Sequence, residues 1–221
     1  MSYNIAIDGP AGAGKSTIAK AVAKKMGLIY VDTGSMYRAM ALHMLKMGIN
    51  IEDDAAVIAE CVNPDITIKY EDGAQVVYLN GENVNAFLRT EEVGNAASKT
   101  SVLMPVRVRL VELQQKLAAE TDCIMDGRDI GTCVLPNADV KIYLTASSAV
   151  RAKRRYDELT AKGENCDIAE IQRIIEERDY RDMNREASPL KQAEDAVLVD
   201  TSDMTIEEVM TRIISICESK K

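Results

Sequence analysis

NIAIDGPAGAGKST, residues 4–17, decides the fold. Residues 4–8, NIAID, are a short apolar run of the kind a buried strand makes. They lead without a break into GPAGAGKS (9–16), which fits G-x-x-x-x-G-K-[ST]. Behind it STIAKAVAKKMG (16–27) has helical spacing and stops at Gly27. Strand, glycine-rich loop and helix together form the setting in which backbone N–H groups converge on phosphate oxygens and the helix N-terminus adds a favourable field. The candidate nucleotide-binding residues are therefore Gly9, Pro10, Ala11, Gly12, Ala13, Gly14, Lys15, Ser16 and Thr17. In such a cradle Lys15 reaches the outer phosphates and Ser16 ligates Mg²⁺.

Further along, LIYVD (28–32), CIMDG (123–127), VKIYL (140–144) and AVLVD (196–200) read as more buried strands. Helical patterns alternate with them: SMYRAMALHMLKMG stopping at Gly48, PVRVRLVELQQKLAAE opening with Pro105, DIAEIQRIIEERDYRDMNRE (167–186) and TIEEVMTRIISICE. Alternating strands and helices predict an α/β fold with a parallel five-stranded sheet flanked by helices, which binds ligands at the carboxyl ends of its strands. DITIKYEDGAQVVYLNGENV (65–84) breaks the alternation. Its runs around "DG" and "NG" predict a small antiparallel β insert packed at one edge. One chain of 221 residues then divides into a core (about 1–32, 101–146 and 187–221), a region that carries the insert (about 33–100), and a stretch of two helical patterns (about 147–186).

Composition excludes several classes. The net charge of −8 argues against a nucleic-acid duplex as partner but leaves room for a small anion in a basic pocket. The five cysteines show no CxxC spacing and read as free thiols. His43 is the only histidine, so no HExxH zinc site exists and a catalytic triad would have to use that one residue. The opening residues carry neither a basic segment nor a long apolar run, and no apolar stretch of membrane-spanning length occurs; a cytoplasmic protein is expected. NKxD and DxxG, which switch GTPases need, are both missing from the sequence.

Three charged clusters accompany the cradle. In DTGSMYR (32–38), Thr33 opens a helix that sets Tyr37 and Arg38 one turn in. Arg38 reads equally as a phosphate grip or as an exposed arginine behind a cap. AVRAKRR (149–155) crowds Arg151, Arg154 and Arg155 after the fourth strand, with KGEN (162–165) ending a helical hairpin. This reads either as a solvated basic face or as a lid of phosphate-neutralising arginines. On the helix 167–186 an apolar stripe from Ile171 and Ile175 continues as Arg178, Asp182 and Arg185. That face is a surface pair or the wall of a cleft. DGRDIGT (126–132) is a metal site, a salt-bridged turn or a reading pocket on its own evidence.

Taken jointly, GPAGAGKST, DTGSMYRA, NAASKTS with PVRVR, DGRDIGT and ERDYRDMNREASPL resemble the bacterial cytidylate kinases, a branch of the nucleoside monophosphate kinases. The resemblance covers roughly residues 3–216, with Ser35 and Cys133 as small departures. It implies transfer of a phosphoryl group from ATP to CMP or dCMP with Mg²⁺, a monomer, and small nucleotides as the only partners. By the same resemblance Ser98, Arg107 and Asp129 read cytosine, and Arg38, Arg128 and Arg178 grip the acceptor phosphate. Asp182 and Arg185 contact the sugar side, and Arg151, Arg154 and Arg155 form the lid. Chemistry agrees with three jobs for DGRD. Asp126 ends an apolar strand beside the cradle, where a carboxylate organises Mg²⁺ through water. Arg128 neutralises phosphate. Asp129 accepts from cytosine's amino group while Arg107 donates to its ring nitrogen and carbonyl. The rival readings are a kinase for UMP, dTMP or AMP, and a non-catalytic nucleotide-binding module.

Overall fold

The computed structural model describes residues 2–71 and 73–220. The first strand, β1 (Asn4–Asp8), is followed by α1 (Lys15–Met26) and β2 (Ile29–Asp32). Next come α2 (Thr33–Lys46), α3 (Asp54–Glu60), β3 (Ile66–Glu71), β4 (Ala74–Leu79) and β5 (Glu82–Asn83). Then follow α4 (Glu91–Thr100), α5 (Met104–Glu120) and β6 (Cys123–Gly127), a one-turn π-helix (Ile130–Val134), and β7 (Val140–Thr145). The chain closes with α6 (Ser148–Ala161), α7 (Ile168–Asn184), β8 (Val197–Asp200) and α8 (Ile206–Ser219). Five strands form the expected parallel sheet in the order β2-β6-β1-β7-β8.

Two compact units divide the chain: residues 1–30 with 121–221, and residues 31–120. In the first, β1 is the central strand because both of its faces are apolar: Ile5, Ala6 and Ile7 are wholly buried. Ile18 and Val22 of α1 and Val209 and Ile213 of α8 pack with Ile5, Ile7, Ile142 and Leu144 in one core. Their i, i+4 spacing sets one stripe of each helix against the sheet. Gly27 stops α1 in the left-handed conformation, and Thr205 with Glu208 closes a capping box at the start of α8.

The second unit has its own core, in which Met36, Met40 and Met44 of α2 meet Ile66, Val77 and Leu79 of the β insert and Val106 and Leu110 of α5. The insert is therefore an independent three-stranded antiparallel sheet on α2, and its hydrophobic face explains why it does not extend the main sheet. Its Asn80–Gly81 turn has φ of 51° and 81°, the two positive values a tight hairpin turn requires. Asp72, first residue of the expected "DG" turn, lies outside the described residues. Residues 101–120, read from sequence as core, group with this second unit. Two short helices, α3 and α4, were not read as elements. Among the described residues no helix is long and apolar enough to cross a membrane. All five cysteines are free.

One close approach fixes the exit of β1. A Cβ built on Gly9, at φ +146°, would stand 1.9 Å from the backbone oxygen of Leu144. Gly9→Ala should therefore cost about 3 kcal/mol or more, lowering the melting temperature by roughly 6–12 °C. Gly27→Ala, also at positive φ but with open space around it, should cost only about 1 kcal/mol. Thermal melts of the two variants check the contrast; equal losses would mean that the contact with Leu144 does not matter.

Candidate functional site

The cradle lies where β1 ends. Gly12 and Gly14 take φ of 76° and 89°, conformations that favour glycine, and α1 begins at the next residue. Lys15 is 5% exposed and its Nζ donates to the carbonyl of Pro10 at 2.7 Å, so the ammonium is folded back under the loop. Burial pushes Lys15 down to about 7; Arg128 adds to the shift, as does Arg178, while Asp126 and Asp8 oppose it. Three cationic side chains thus repel one another around the cradle, the electrostatic signature of a site made for a polyanion. Thr17 is exposed on the first turn of α1.

The carboxylate at the end of β6 is engaged on both oxygens. Asp126 accepts from Ser16 Oγ at 2.9 Å and from Tyr30 O–H at 2.8 Å. Ser16 and Asp126 carry hard oxygen atoms that could hold a Mg²⁺ ion, which keeps several waters and shares phosphate oxygens. The sequence shows Tyr30 only as part of a strand, yet its hydroxyl holds the Asp126 carboxylate from the other side.

The stretch after β6 is a π-turn and not an open loop. The N–H groups of Val134 and Leu135 reach back to the carbonyls of Asp129 and Ile130 at 3.2 and 2.7 Å. Asp8 closes it from the far side of the sequence, accepting from the N–H of Ile130 and of Gly131 at 2.7 Å each. Asp8 is buried, and burial pushes its carboxyl up to about 6, against the pull of those two N–H bonds. Just before the turn, Arg128 Nε donates to Asp182 at 2.9 Å, and Arg185 Nη2 stands 3.7 Å from Asp129. Asp182 therefore pairs with Arg128, across 54 residues of sequence. One expectation needs correction here: α7 ends at Asn184, and Arg185 is extended at ψ 142°. It reaches Asp129 from the following turn, where its Nε also donates to the carbonyl of Ser188.

The arginines of α6 take different roles. Arg151 is 5% exposed and fully engaged, with Nε on the carbonyl of Ala146, Nη1 on the carbonyl of Ala11, and both Nη atoms on Asp179. It lies against Gly12, where a Cβ would meet its side-chain carbons at 3.5–3.9 Å. In this conformation Arg151 braces the cradle. Asp179, its partner, was missed because it lies beside the stripe 171–175–178–182. Arg154 donates to the hydroxyl and carbonyl of Thr201, next to Gly14. Arg155 pairs with Glu158 in solvent.

Within the second unit, Asp32 caps α2 by accepting from the N–H of Ser35. Gln75 of the insert holds the same turn through the N–H of Asp32 and the hydroxyl of Ser35, both at 2.7 Å. Thr33 is buried at the first position of α2, with Tyr37 and Arg38 one turn on. Arg107 is 3% exposed; its guanidinium lies 5.6 Å from the centre of the Tyr37 ring and donates to the carbonyl of Ser101 at 3.3 Å. Ser98 is half-buried in the last turns of α4. Tyr37, Arg107 and the end of α4 are thus gathered, by a tyrosine whose part in bracing Arg107 the sequence did not reveal.

Known proteins with this sequence pattern share one description. The family model for cytidylate kinase matches residues 5–219. A cytidylate kinase of Lactobacillus johnsonii is 48% identical over 217 residues, covering 98% of this chain and 94% of that protein. One from Listeria welshimeri is 50% identical over 217 residues, covering 98% of this chain and 96% of its own. Among solved structures, a shikimate kinase from Acinetobacter baumannii in complex with shikimate has a TM-score of 0.50 at 15% identity. It covers 100% of this chain and 96% of its own, a likeness of fold alone.

The depressed Lys15 yields a signed prediction. A bound triphosphate holds the ammonium, so above pH 7 binding must take up a proton. Affinity for a nucleoside triphosphate should then weaken as pH rises, by up to about tenfold per unit between roughly pH 7 and 9. Lys15→Met should lose that part of the slope, since the ligand's own titration is common to both proteins. Calorimetric titrations in two buffers of different ionisation heat measure the proton uptake. Equal uptake in wild type and variant would remove Lys15 from the linkage.

Proposed function

The chain belongs to the cytidylate kinase family, a group of nucleoside monophosphate kinases, and from that premise we propose that it transfers the terminal phosphoryl group of ATP to CMP and dCMP. The observation that carries the reading is the run from Asp126 to Asp129. It begins in the last two residues of β6, a strand that pairs with β1, and each of its three charged side chains has a different partner.

In the proposed reaction an oxygen of the acceptor phosphate attacks the γ-phosphorus of ATP as the bond to the departing ADP breaks. That oxygen is already an anion, so no general base is required, and catalysis is alignment and charge neutralisation. Ser16 and Asp126 would hold Mg²⁺, which supplies Lewis-acid neutralisation of the transferring phosphoryl group. Lys15 leaves the carbonyl of Pro10 for a phosphate oxygen, and the repulsion it feels from Arg128 and Arg178 is relieved when the anion enters. Arg38, Arg128 and Arg178 are assigned to the acceptor phosphate, and Asp182 and Arg185 to the sugar side. Arg154 and Arg155 are assigned to a closing segment, with Arg151 as its brace.

Base choice is assigned to Asp129, Arg107 and Ser98. A carboxylate accepts from the exocyclic amino group of cytosine, whereas uracil offers a carbonyl there and is repelled. Arg185 Nη2 stands 3.7 Å from that carboxylate and puts an opposite charge beside it.

Asp129→Ala should weaken CMP use by about ten- to a hundredfold, corresponding to ~1–3 kcal/mol, with ATP affinity nearly intact. UMP should lose less, so the CMP/UMP ratio of kcat/KM should fall. A coupled ADP-release assay over CMP, dCMP, UMP, dTMP and AMP measures both the preferred acceptor and the ratio. A ratio unchanged while both values drop together would sink the base-reading role, and a different preferred acceptor in the wild type would sink the substrate.

A further inference from the structure

Asp8 is a buried carboxylate that the proposed reaction does not use. It ends an otherwise apolar strand, is 3% exposed, and spends both oxygens on backbone N–H groups 122 and 123 residues away, those of Ile130 and Gly131. A neutral side chain cannot do this: an asparagine offers one acceptor and turns a donor towards the second N–H. The two bonds hold the start of the π-turn immediately after Asp129, whose backbone carbonyl in turn accepts from Cys133 at 2.8 Å and from Val134 at 3.2 Å. The path from Asp8 to the acceptor loop is thus one covalent step and two short hydrogen bonds.

The loop has no spare room on the same side. A Cβ on Gly131 would meet Asp8 Oδ2 at 3.3 Å and Lys141 Cδ at 3.2 Å. Gly131 is not at positive φ, so glycine there serves the close approach rather than the backbone conformation. A carboxylate and a missing side chain therefore cooperate to pin the turn against the end of β1.

We propose that Asp8 is the positioning residue for base selection: by clamping the N–H groups of Ile130 and Gly131 it fixes the direction in which Asp129 presents its carboxylate to the acceptor base. This rests on the reading of Asp129 given above. The cradle's glycines have their own conformations, and Asp8 reaches Lys15 through charge and not through a hydrogen bond, so loss of the clamp bears mainly on the acceptor. A residue that merely stabilised the protein would lower every kinetic constant together or none.

The test compares Asp8→Asn, Asp129→Ala and the double variant in kcat/KM for CMP and UMP and in KM for ATP. Asp8→Asn is expected to lower kcat/KM for CMP by about ten- to a hundredfold and to move the CMP/UMP ratio towards that of Asp129→Ala. KM for ATP should stay within about twofold of wild type, as binding made by other groups is untouched. In the Asp129→Ala background, Asp8→Asn should leave the ratio unmoved, because two residues acting through one contact are not additive. If Asp8→Asn does not fold, Gly131→Ala perturbs the same clamp from the loop side and should lower the ratio in the same direction. An unchanged ratio in Asp8→Asn, or in Gly131→Ala where that variant stands in, while Asp129→Ala lowers it, overturns the clamp alone. A parallel rise in KM for ATP overturns it in favour of a general support of the cradle. A ratio that Asp129→Ala itself leaves unchanged overturns the base reading, and the clamp's purpose with it.

Discussion

Everything in the catalytic half hangs on the in-register pairing of β1 with two neighbours. Asp8 lies opposite Gly127 on one side and Tyr143 on the other, so three strands end at one level. A parallel sheet leaves its carboxyl ends open to ligands, and here the ends deliver Asp8, Asp126 and the glycine loop to one place. The packing that enforces this tolerates no substitution at Gly9, where the carbonyl of Leu144 fills the space a side chain would need. Strand pairing, which is cheap and robust, thereby sets distances between groups that chemistry needs to a fraction of an ångström.

The same place concentrates charge in a way that only function explains. Lys15, Asp8, Asp126, Asp129, Arg151 and Asp179 are all buried. Desolvating charges costs several kcal/mol each unless they are bonded, and each of those five besides Lys15 has a charged or N–H/O–H partner in the same unit. Lys15 is the exception, held by a single carbonyl and pushed down by burial, with two arginines adding to the shift and two carboxylates opposing it. A buried ammonium with so little to hold it is costly to the fold, and an anion beside it would offset that cost.

How much of this could be read beforehand depended on whether a signal was local. β1 and β6 were found to the residue, since a buried strand bounded by glycine is written in consecutive apolar positions. The cradle and the Asn80–Gly81 hairpin turn were equally legible, because glycine and asparagine there answer to backbone conformation. Groups held by distant partners were not. Asp8 looked like the last residue of a strand because both its acceptance partners lie beyond residue 129. The π-turn has no periodicity to read. Arg151 looked like a lid charge because its pairing with Asp179 joins two helices, and a run of basic residues does not announce which of them is buried. Helices α3 and α4 escaped for a plainer reason: one has seven residues, and the other, EEVGNAASKT, carries mostly small and polar side chains.

The likeness to a shikimate kinase at 15% identity is one of fold alone. A sheet that gathers a lysine, a serine and a carboxylate at its strand ends meets the demands of a phosphate chain, and those demands do not depend on the acceptor. In the proposed reading the acceptor-facing chemistry is carried by pieces that the central sheet does not itself contain. One is the turn after β6, fixed by Asp8. The other is the second unit, where an independent β insert holds the start of α2 through Gln75 and a tyrosine braces Arg107. Because these pieces have their own hydrogen bonds, and the second unit its own core, they can change without disturbing Gly9 or the packing of β1. A carboxylate on a turn that Asp8 pins through two backbone N–H groups would discriminate between bases that differ in a single polar group, since the wrong one leaves a buried acceptor facing an acceptor. Phosphate affinity comes from charge and is forgiving; base choice comes from direction and is not, which is why the buried clamp sits under the aspartate and not under the lysine.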